Sequence, residues 1–223
     1  MMTGVVLAAG ASARMGSPKA LAREGRESFL THGIRTLWSA CDDVVVVLGA
    51  GAKAIQQRTE QEFTRLVQRG RLAAEFARVR DNVPDQLEVH FVTHPTWKRG
   101  MFSSVRAGLE AALGRKPEAI LVMPVDHPSV RPNTVVALAT AMHQALEAAR
   151  SPRVRRAFSY ALVPRMGGRR GHPVALSAAL ARAITQDAQA ENLSDAVKRN
   201  ARLVGYLDVR DRGVLRNVNR PGQ

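Results

Sequence analysis

Thr3-Gly4-Val5-Val6-Leu7-Ala8-Ala9 runs without a break into Gly10-Ala11-Ser12-Ala13-Arg14-Met15-Gly16-Ser17-Pro18-Lys19, and the reading of this junction decides the fold. The first part is small, branched and apolar, which predicts a buried strand. The second part is built of small residues punctuated by two cations. A buried strand opening into such a loop is what a parallel sheet needs to hold a nucleotide at the carboxyl end of its first strand. Small side chains let backbone N–H groups close on phosphate oxygens, and a nest of such groups is itself an anion site. Arg14 would meet those oxygens with a planar fork, and Lys19 with a compact point charge. An ordinary glycine turn with solvated cations has the same composition, and the residues alone leave both readings open. Two commoner phosphate loops are excluded, because the chain has no G-x-x-x-x-G-K-[ST] and no G-x-G-x-x-G after the strand.

Outward from this junction, apolar runs at 5–9, 44–48, 89–92, 120–125, 160–163, 174–176 and 203–209 alternate with helical patterns at 29–40, 104–113, 133–149, 177–185 and 193–200. Strands alternating with helices predict βαβ units and a mainly parallel α/β sheet, here in a single domain over 1–223. Ser104 heads its segment as the expected N-cap, ahead of Val105, Leu109 and Leu113 at helical spacing. Residues 52–86 exceed the length of a minimal crossover. Ile55, Phe63, Leu66, Val67, Phe76 and Val79 recur there at near-helical intervals, predicting a helical insertion of one or two helices broken near Gly70. Residues 150–156 read as an exposed basic loop.

The 223-residue chain carries 33 Lys and Arg against 19 Asp and Glu, a net charge of +14, which favours anionic partners. Nucleic acid is not expected among them. Aromatic residues are only 4%, the cations are scattered, and no zinc-finger, helix-turn-helix or aromatic RNA-binding signature accompanies them. An anionic nucleotide would still gain from the field. The single cysteine, Cys41, rules out an intramolecular disulfide and suits a reducing cytoplasm, with a buried structural thiol as its expected state. No apolar run is long enough to span a bilayer, and the first residues lack the basic n-region of a signal peptide. A cytoplasmic protein without membrane contact is therefore expected.

Taken whole, LAAGASARMGSPKAL resembles the signature loop of the MobA-like NTP transferase family, nucleotidyltransferases that move an NMP from an NTP onto a phosphorylated acceptor. The family pattern L-A-[AG]-G-x-[SG]-x-R-M-[GN]-x-x-K-x-L is matched at Leu7, Ala8, Ala9, Gly10, Ser12, Arg14, Met15, Gly16, Lys19 and Leu21. Further motifs follow in family order. Ile120 to Val125 reads as a strand ending in Asp126-His127-Pro128. A lone Asp there serves either as a loop cap or as a ligand beside Mg²⁺ and phosphates, and the string resembles the family segment whose Asp binds the divalent ion. Trp97-Lys98-Arg99-Gly100-Met101-Phe102-Ser103-Ser104 resembles the turn and helix start that wall the base and ribose. Its serine hydroxyls can donate to and accept from a pyrimidine edge, although capping explains one of them equally well. Gly171-His172-Pro173 resembles the G-[HN]-P segment beside the acceptor, with His172 either touching the acceptor phosphate or satisfying a turn. Asn217-Val218-Asn219-Arg220-Pro221 resembles the late [DN]-x-[DN]-x-P segment that supplies the second metal ligand.

The resemblance implies a three-layer α/β/α Rossmann-like nucleotide-diphospho-sugar transferase fold with a mainly parallel sheet. It implies catalytic roles for Arg14 and Lys19 and nucleotide binding by Leu7, Ala8, Ala9, Gly10, Ser12, Gly16, Ser103 and Ser104. His172 would bind the acceptor, while Asp126 and Asn219 would hold Mg²⁺. The likeness is greatest to molybdenum cofactor cytidylyltransferases, because Ala8-Ala9 is the cytidylyl form of the loop. That implies CTP as donor, molybdopterin as acceptor, pyrophosphate as product, and a client molybdoenzyme or a second copy as a protein partner. Two departures stand out. The cytidylyl branch usually has Asp at both late metal positions, and the chain has Asn192-Leu193-Ser194-Asp195 where a G-D-x-G-x-R turn is found. A sugar-phosphate or methylerythritol-phosphate nucleotidyltransferase and a non-catalytic nucleotide-binding regulator remain as alternatives.

Overall fold

The computed structural model describes residues 1–10, 18–68, 88–149 and 158–219. Strand β1 (Met2–Ala8) lies in the middle of the main sheet, and every residue from Thr3 onward in it is buried. Its neighbours explain that burial. β4 (Asp43–Leu48) runs parallel along one edge, pairing Val5 with Val45, and β6 (Ala119–Pro124) runs parallel along the other, pairing Val5 with Val122. β5 (Glu88–Thr93) extends the parallel run beyond β4. On the other side one strand of the path is reversed. β9 (Val174–Ser177) is antiparallel to both β6 and β7 (Tyr160–Met166), and β10 (Leu203–Asp208) closes that edge parallel to β7. The order is β10-β7-β9-β6-β1-β4-β5, with β8 (Arg169–Arg170) folded back on β7. A separate hairpin pairs β2 (Arg23–Glu24) with β3 (Glu27–Ser28).

Strand periodicity sends alternate side chains to opposite faces. Val6, Val44, Val46, Leu121 and Met123 face Leu30, Ile34 and Leu37 of α1 (Phe29–Trp38) and Leu138 and Met142 of α4 (Pro132–Ala149). Val5, Val45, Val47, Ile120 and Val122 face α3 (Met101–Leu113), α5 (Ala178–Gln186) and α6 (Leu193–Asn200). Each fully buried Val, Leu or Ile contributes roughly 1.5–3 kcal/mol, so the two faces drive the assembly. The result is the three-layer α/β/α, mainly parallel architecture expected from the motif order.

Side-chain caps fix several helix starts. The Ser28 hydroxyl accepts from the Thr31 N–H at α1, Ser177 from Leu180 at α5, and Asn192 from Asp195 at α6. Within the expected 52–86 insertion, α2 (Ala52–Gln68) is a helix. Its Glu62 carboxylate accepts from the Ser28 amide, the Thr31 hydroxyl and Arg23, which ties it to the start of α1. The remainder of that segment and the basic loop 150–156 lie outside the described residues.

One expected cap is corrected. Ser104 does not head α3. The helix begins at Met101, and Gly100 occupies the cap position with φ 105°. The preceding 3₁₀ turn, Trp97–Arg99, must be redirected into the helix through a left-handed backbone that glycine alone adopts freely. Ser104 is buried within the first turn of α3.

At the far end of the chain, buried Asp211 acts as a clasp. Its carboxylate accepts from the Arg131 amide at 2.9 Å, the Thr134 hydroxyl at 2.7 Å and the Gly213 amide at 2.9 Å. The segment after it runs back over the carboxyl ends of β1 and β6.

Candidate active site

β1 and β6 end side by side, and the Val125 N–H closes the gap by donating to the Leu7 carbonyl at 3.0 Å. Leu7, Ala8 and Ala9 are buried and Gly10 is exposed at the strand end. Ser12, Arg14 and Gly16 lie outside the described residues. The chain returns at Pro18, and the 3₁₀ turn Lys19–Leu21 sets Lys19 against the end of β6. The Lys19 ammonium donates to Asp126 Oδ2 at 3.2 Å and to Asn219 Oδ1 at 2.7 Å. Asp126 is only 8% exposed, and its Oδ1 has no hydrogen-bond partner among the described residues. The Val218 N–H donates to the Asp126 carbonyl at 2.9 Å, and Val218 is buried, so the segment carrying Asn219 is fixed to this corner. Three residues singled out from widely separated motifs thus meet at one point.

The donor set here is all hard oxygen, one of them buried and without a partner among the described residues, and such a set fits a divalent cation of the Mg²⁺ or Mn²⁺ kind. Another acidic cluster does not compete for that role. Asp43, Glu88 and His90 come together at the amino ends of β4 and β5, the opposite end of the sheet. Arg115 bonds both Asp43 and Glu88, so their charge is already met by a guanidinium.

Two cavities adjoin the corner. The first, about 350 Å³, is lined by Ala8, Ala9, Gly10, Lys19, Trp97, Ser104 and Asp126 among others. Gly49 lets Trp97 and the end of β1 close on each other, since a Cβ there would lie 2.3 Å from the Ala9 carbonyl oxygen and 2.7 Å from Trp97 Cγ. Ser103 is not brought into this cavity. Its hydroxyl donates to the Gly100 carbonyl at 2.7 Å and meets His94 Nε2 at 2.9 Å. The second cavity, about 500 Å³, shares Leu7, Met101, Pro124 and Asp126 with the first. It continues over His127, His172, Arg170, Lys198, Tyr206 and Asn217. The sequence-expected residue His172 therefore faces the second cavity, and Asn217 joins it there while Asn219 meets Lys19.

His127 and His172 pack in a tilted arrangement, with ring centroids 4.8 Å apart and planes at 59°. Burial pushes the His127 imidazole below its ordinary pKa, against the pull of the Asp126 carboxylate. Burial, and then the neighbouring His127, push His172 down to about 4. Both rings are neutral at pH 7, and the Nδ1 atom of each has no hydrogen-bond partner among the described residues. Sequence reasoning assigned no role to His127 and missed Arg170, Lys198 and Tyr206. The only available signal was the Arg169-Arg170 pair directly ahead of Gly171-His172-Pro173. The Arg165 and Arg170 guanidinium groups both lie over the Tyr206 ring, at 5.4 and 5.3 Å, and that grouping arises from strand pairing, not from sequence proximity.

Comparison with known proteins places the chain and its fold. The chain is 34% identical over 185 residues to nicotine blue oxidoreductase of Paenarthrobacter nicotinovorans, covering 82% of this chain and 74% of that one. Its fold is similar to that of a nucleotidyl transferase from Methanothermobacter, with a TM-score of 0.65, 19% identity, and coverage of 99% of this chain and 92% of that one. It is also similar to Rv0371c from Mycobacterium tuberculosis, with a TM-score of 0.63, 22% identity, and coverage of 94% and 88%. That protein has also been solved in complex with manganese, a structure similar to this one with a TM-score of 0.54, 22% identity, and coverage of 93% of this chain and 88% of that one. The model of the MobA-like NTP transferase domain matches residues 4–203, from β1 to the start of β10. The chain belongs to the MobA-like NTP transferase family, a family of nucleotidyltransferases.

Proposed function

We propose that this protein transfers CMP from CTP onto the phosphate of molybdopterin and releases pyrophosphate. The observation that carries the reading is the meeting of Lys19, Asp126 and Asn219 at the seam between two cavities. The 350 Å³ cavity takes the nucleotide, with Ala8 and Ala9 as its floor and Trp97 as a wall for base and ribose. The second cavity takes the acceptor. Arg170 and Lys198 there offset its phosphate charge, and the neutral His127 and His172 offer hydrogen bonds to its polar edge.

With the substrates so divided, an acceptor phosphate oxygen approaches the α-phosphorus past Asp126. The bond from that phosphorus to the bridging oxygen breaks, and the pyrophosphate departs toward the signature loop. Holding both partners in line contributes most of the rate, because this transfer needs little covalent help from the protein. Lys19, and Arg14 from the loop, offset the charge that builds on the α and bridging oxygens. A divalent ion, Mg²⁺ in this reading, would be held by Asp126 and Asn219 and would supply charge neutralisation on the phosphates. No general base is needed, since the acceptor phosphate is already anionic at neutral pH. The cytoplasm is the compartment that fits the reading.

The test is pyrophosphate release with each of CTP, GTP, ATP and UTP against molybdopterin, sugar phosphates and methylerythritol phosphate. Release with CTP and molybdopterin, lost on Asp126→Asn, is the expected result. GTP outranking CTP would overturn the base, and turnover with another acceptor alone would overturn molybdopterin. Nucleotide binding without pyrophosphate would identify a regulator. The relative named as an oxidoreductase gives a second reading, in which a reducible heterocycle occupies the second cavity. Such a compound would be reduced by a hydride donor supplied in solution, itself oxidised in step, with no pyrophosphate formed.

A further inference from the structure

Lys19 is wanted in two places. As the last cation of the signature loop it should meet polyphosphate oxygens, yet its ammonium lies between Asp126 Oδ2 at 3.2 Å and Asn219 Oδ1 at 2.7 Å. Those are the oxygens that a divalent ion would take. Mg²⁺ holds its oxygen ligands at about 2.0–2.1 Å, so an ammonium on the same two atoms would stand within a few ångströms of a dication. Charge count sharpens the conflict. Asp126 is the sole anionic side chain lining the first cavity among the described residues, against the cations Lys19 and Lys98. One carboxylate does not balance an ammonium and a dication together. Nor can the ligand oxygens readily spread apart to admit both. Asp126 follows Val125, whose N–H is bonded to the Leu7 carbonyl, and Asn219 follows a buried Val218 whose N–H is bonded to the Asp126 carbonyl. Lys19 and Asp126 side chains are also sheltered, at 18% and 12% exposure, so solvent screens their attraction less than at an open surface.

We propose that Lys19 is the internal rival of the divalent ion. In the nucleotide-free protein its ammonium holds the Asp126–Asn219 pair against metal, and an incoming triphosphate releases the pair by drawing Lys19 onto phosphate oxygens. This inference rests on the reading of Asp126 and Asn219 as the ion's ligands. Its consequence is coupling. Nucleotide tightens metal binding beyond what its own oxygens contribute, and by linkage metal tightens nucleotide binding by the same factor. Metal then enters with the triphosphate and does not wait in the site.

The experiment is titration of nucleotide-free protein with Mn²⁺, reading the loss of the free-ion electron paramagnetic resonance signal. Wild type, Lys19→Met, Asp126→Asn and the double variant are compared, each with and without a non-hydrolysable CTP analogue. Lys19→Met should bind Mn²⁺ alone roughly 5- to 150-fold more tightly than wild type, the usual range for coupling between sites. The gain should vanish in the double variant, and the analogue should tighten Mn²⁺ binding more in wild type than in Lys19→Met. Equal Mn²⁺ affinity in Lys19→Met and wild type, with Asp126→Asn weaker than both, would overturn the rivalry and leave the metal reading standing. Equal affinity in the double variant and Lys19→Met, together with equal affinity in Asp126→Asn and wild type when the analogue is bound, would overturn the metal reading itself. Circular dichroism melting checks that each variant is folded, and Lys19→Gln, equally uncharged, substitutes for Lys19→Met if that variant does not fold.

Discussion

Lys19 and Asp126 sit where the two cavities touch, on short turns beyond the strand ends, so substitutions there separate chemistry from folding. Lys19→Ala removes a positioned cation without opening the apolar core. Its kcat/KM for pyrophosphate release should fall by about 10²–10³, on the order of 2.7–4 kcal/mol, while the circular dichroism spectrum stays unchanged. Steady-state kinetics at saturating metal measures it. His172 makes a different prediction, on stability. Its folded pKa is about 4 against an ordinary 6.5. Between those values the unfolded chain takes up a proton that the folded chain refuses. The contribution is therefore complete above about pH 6.5 and is lost as the pH falls toward 4, by on the order of 3 kcal/mol. Melting temperatures across pH 4–7 should show a shallower acid slope in His172→Gln than in wild type.

Among the elements, α3 is the one on which sheet and site depend together. Gly108 lies so close to the sheet that a Cβ would stand 2.6 Å from Val5 Cγ1 and 2.9 Å from Val47 Cγ2. Gly108→Ala should cost about 1–3 kcal/mol as the helix is pushed off the strands, read as a lowered melting temperature. Weaker nucleotide binding should accompany it, because the amino end of the same helix supplies Met101 and Ser104 to the first cavity. The strands of this sheet were legible in the sequence because burial on both faces leaves unbroken apolar runs such as 44–48. The start of α3 was not. Serine suits both a cap and a first turn, and the choice was made by the backbone sign of Gly100, which a one-letter code does not carry. The contact made by Ser103 was hidden for a related reason. Its partner, His94, comes from the turn after β5, a contact outside the motif that was being read.

At the scale of the whole molecule, legibility followed the distance over which a feature is assembled. Ala8, Lys19 and Asp126 each belong to a compact motif, and motif order alone brings them to adjacent strand ends. The wall made by Arg170, Lys198 and Tyr206 draws on β8, α6 and β10, and only the completed sheet brings these together. Acceptor chemistry is accordingly the part of the function that sequence specifies least. The Asp211 clasp gives the molecule an order of failure. The Asp211 carboxylate ties this segment to the Arg131 amide and the Thr134 hydroxyl. Beyond it, buried Val214 and Val218 and the bonds from the His172 amide to the Val214 carbonyl and from the Val218 amide to the Asp126 carbonyl complete the hold, whereas the sheet is held by two full apolar faces. Lightly anchored units open at lower free energy than the core. On warming, Asn217 and Asn219 should leave the strand ends while far-ultraviolet ellipticity is still native. Catalysis should fail some degrees below the melting midpoint and return on cooling, and Asp211→Asn should widen that interval. The enzyme would then behave as a thermal fuse, cut off by the release of one short segment and reset without refolding.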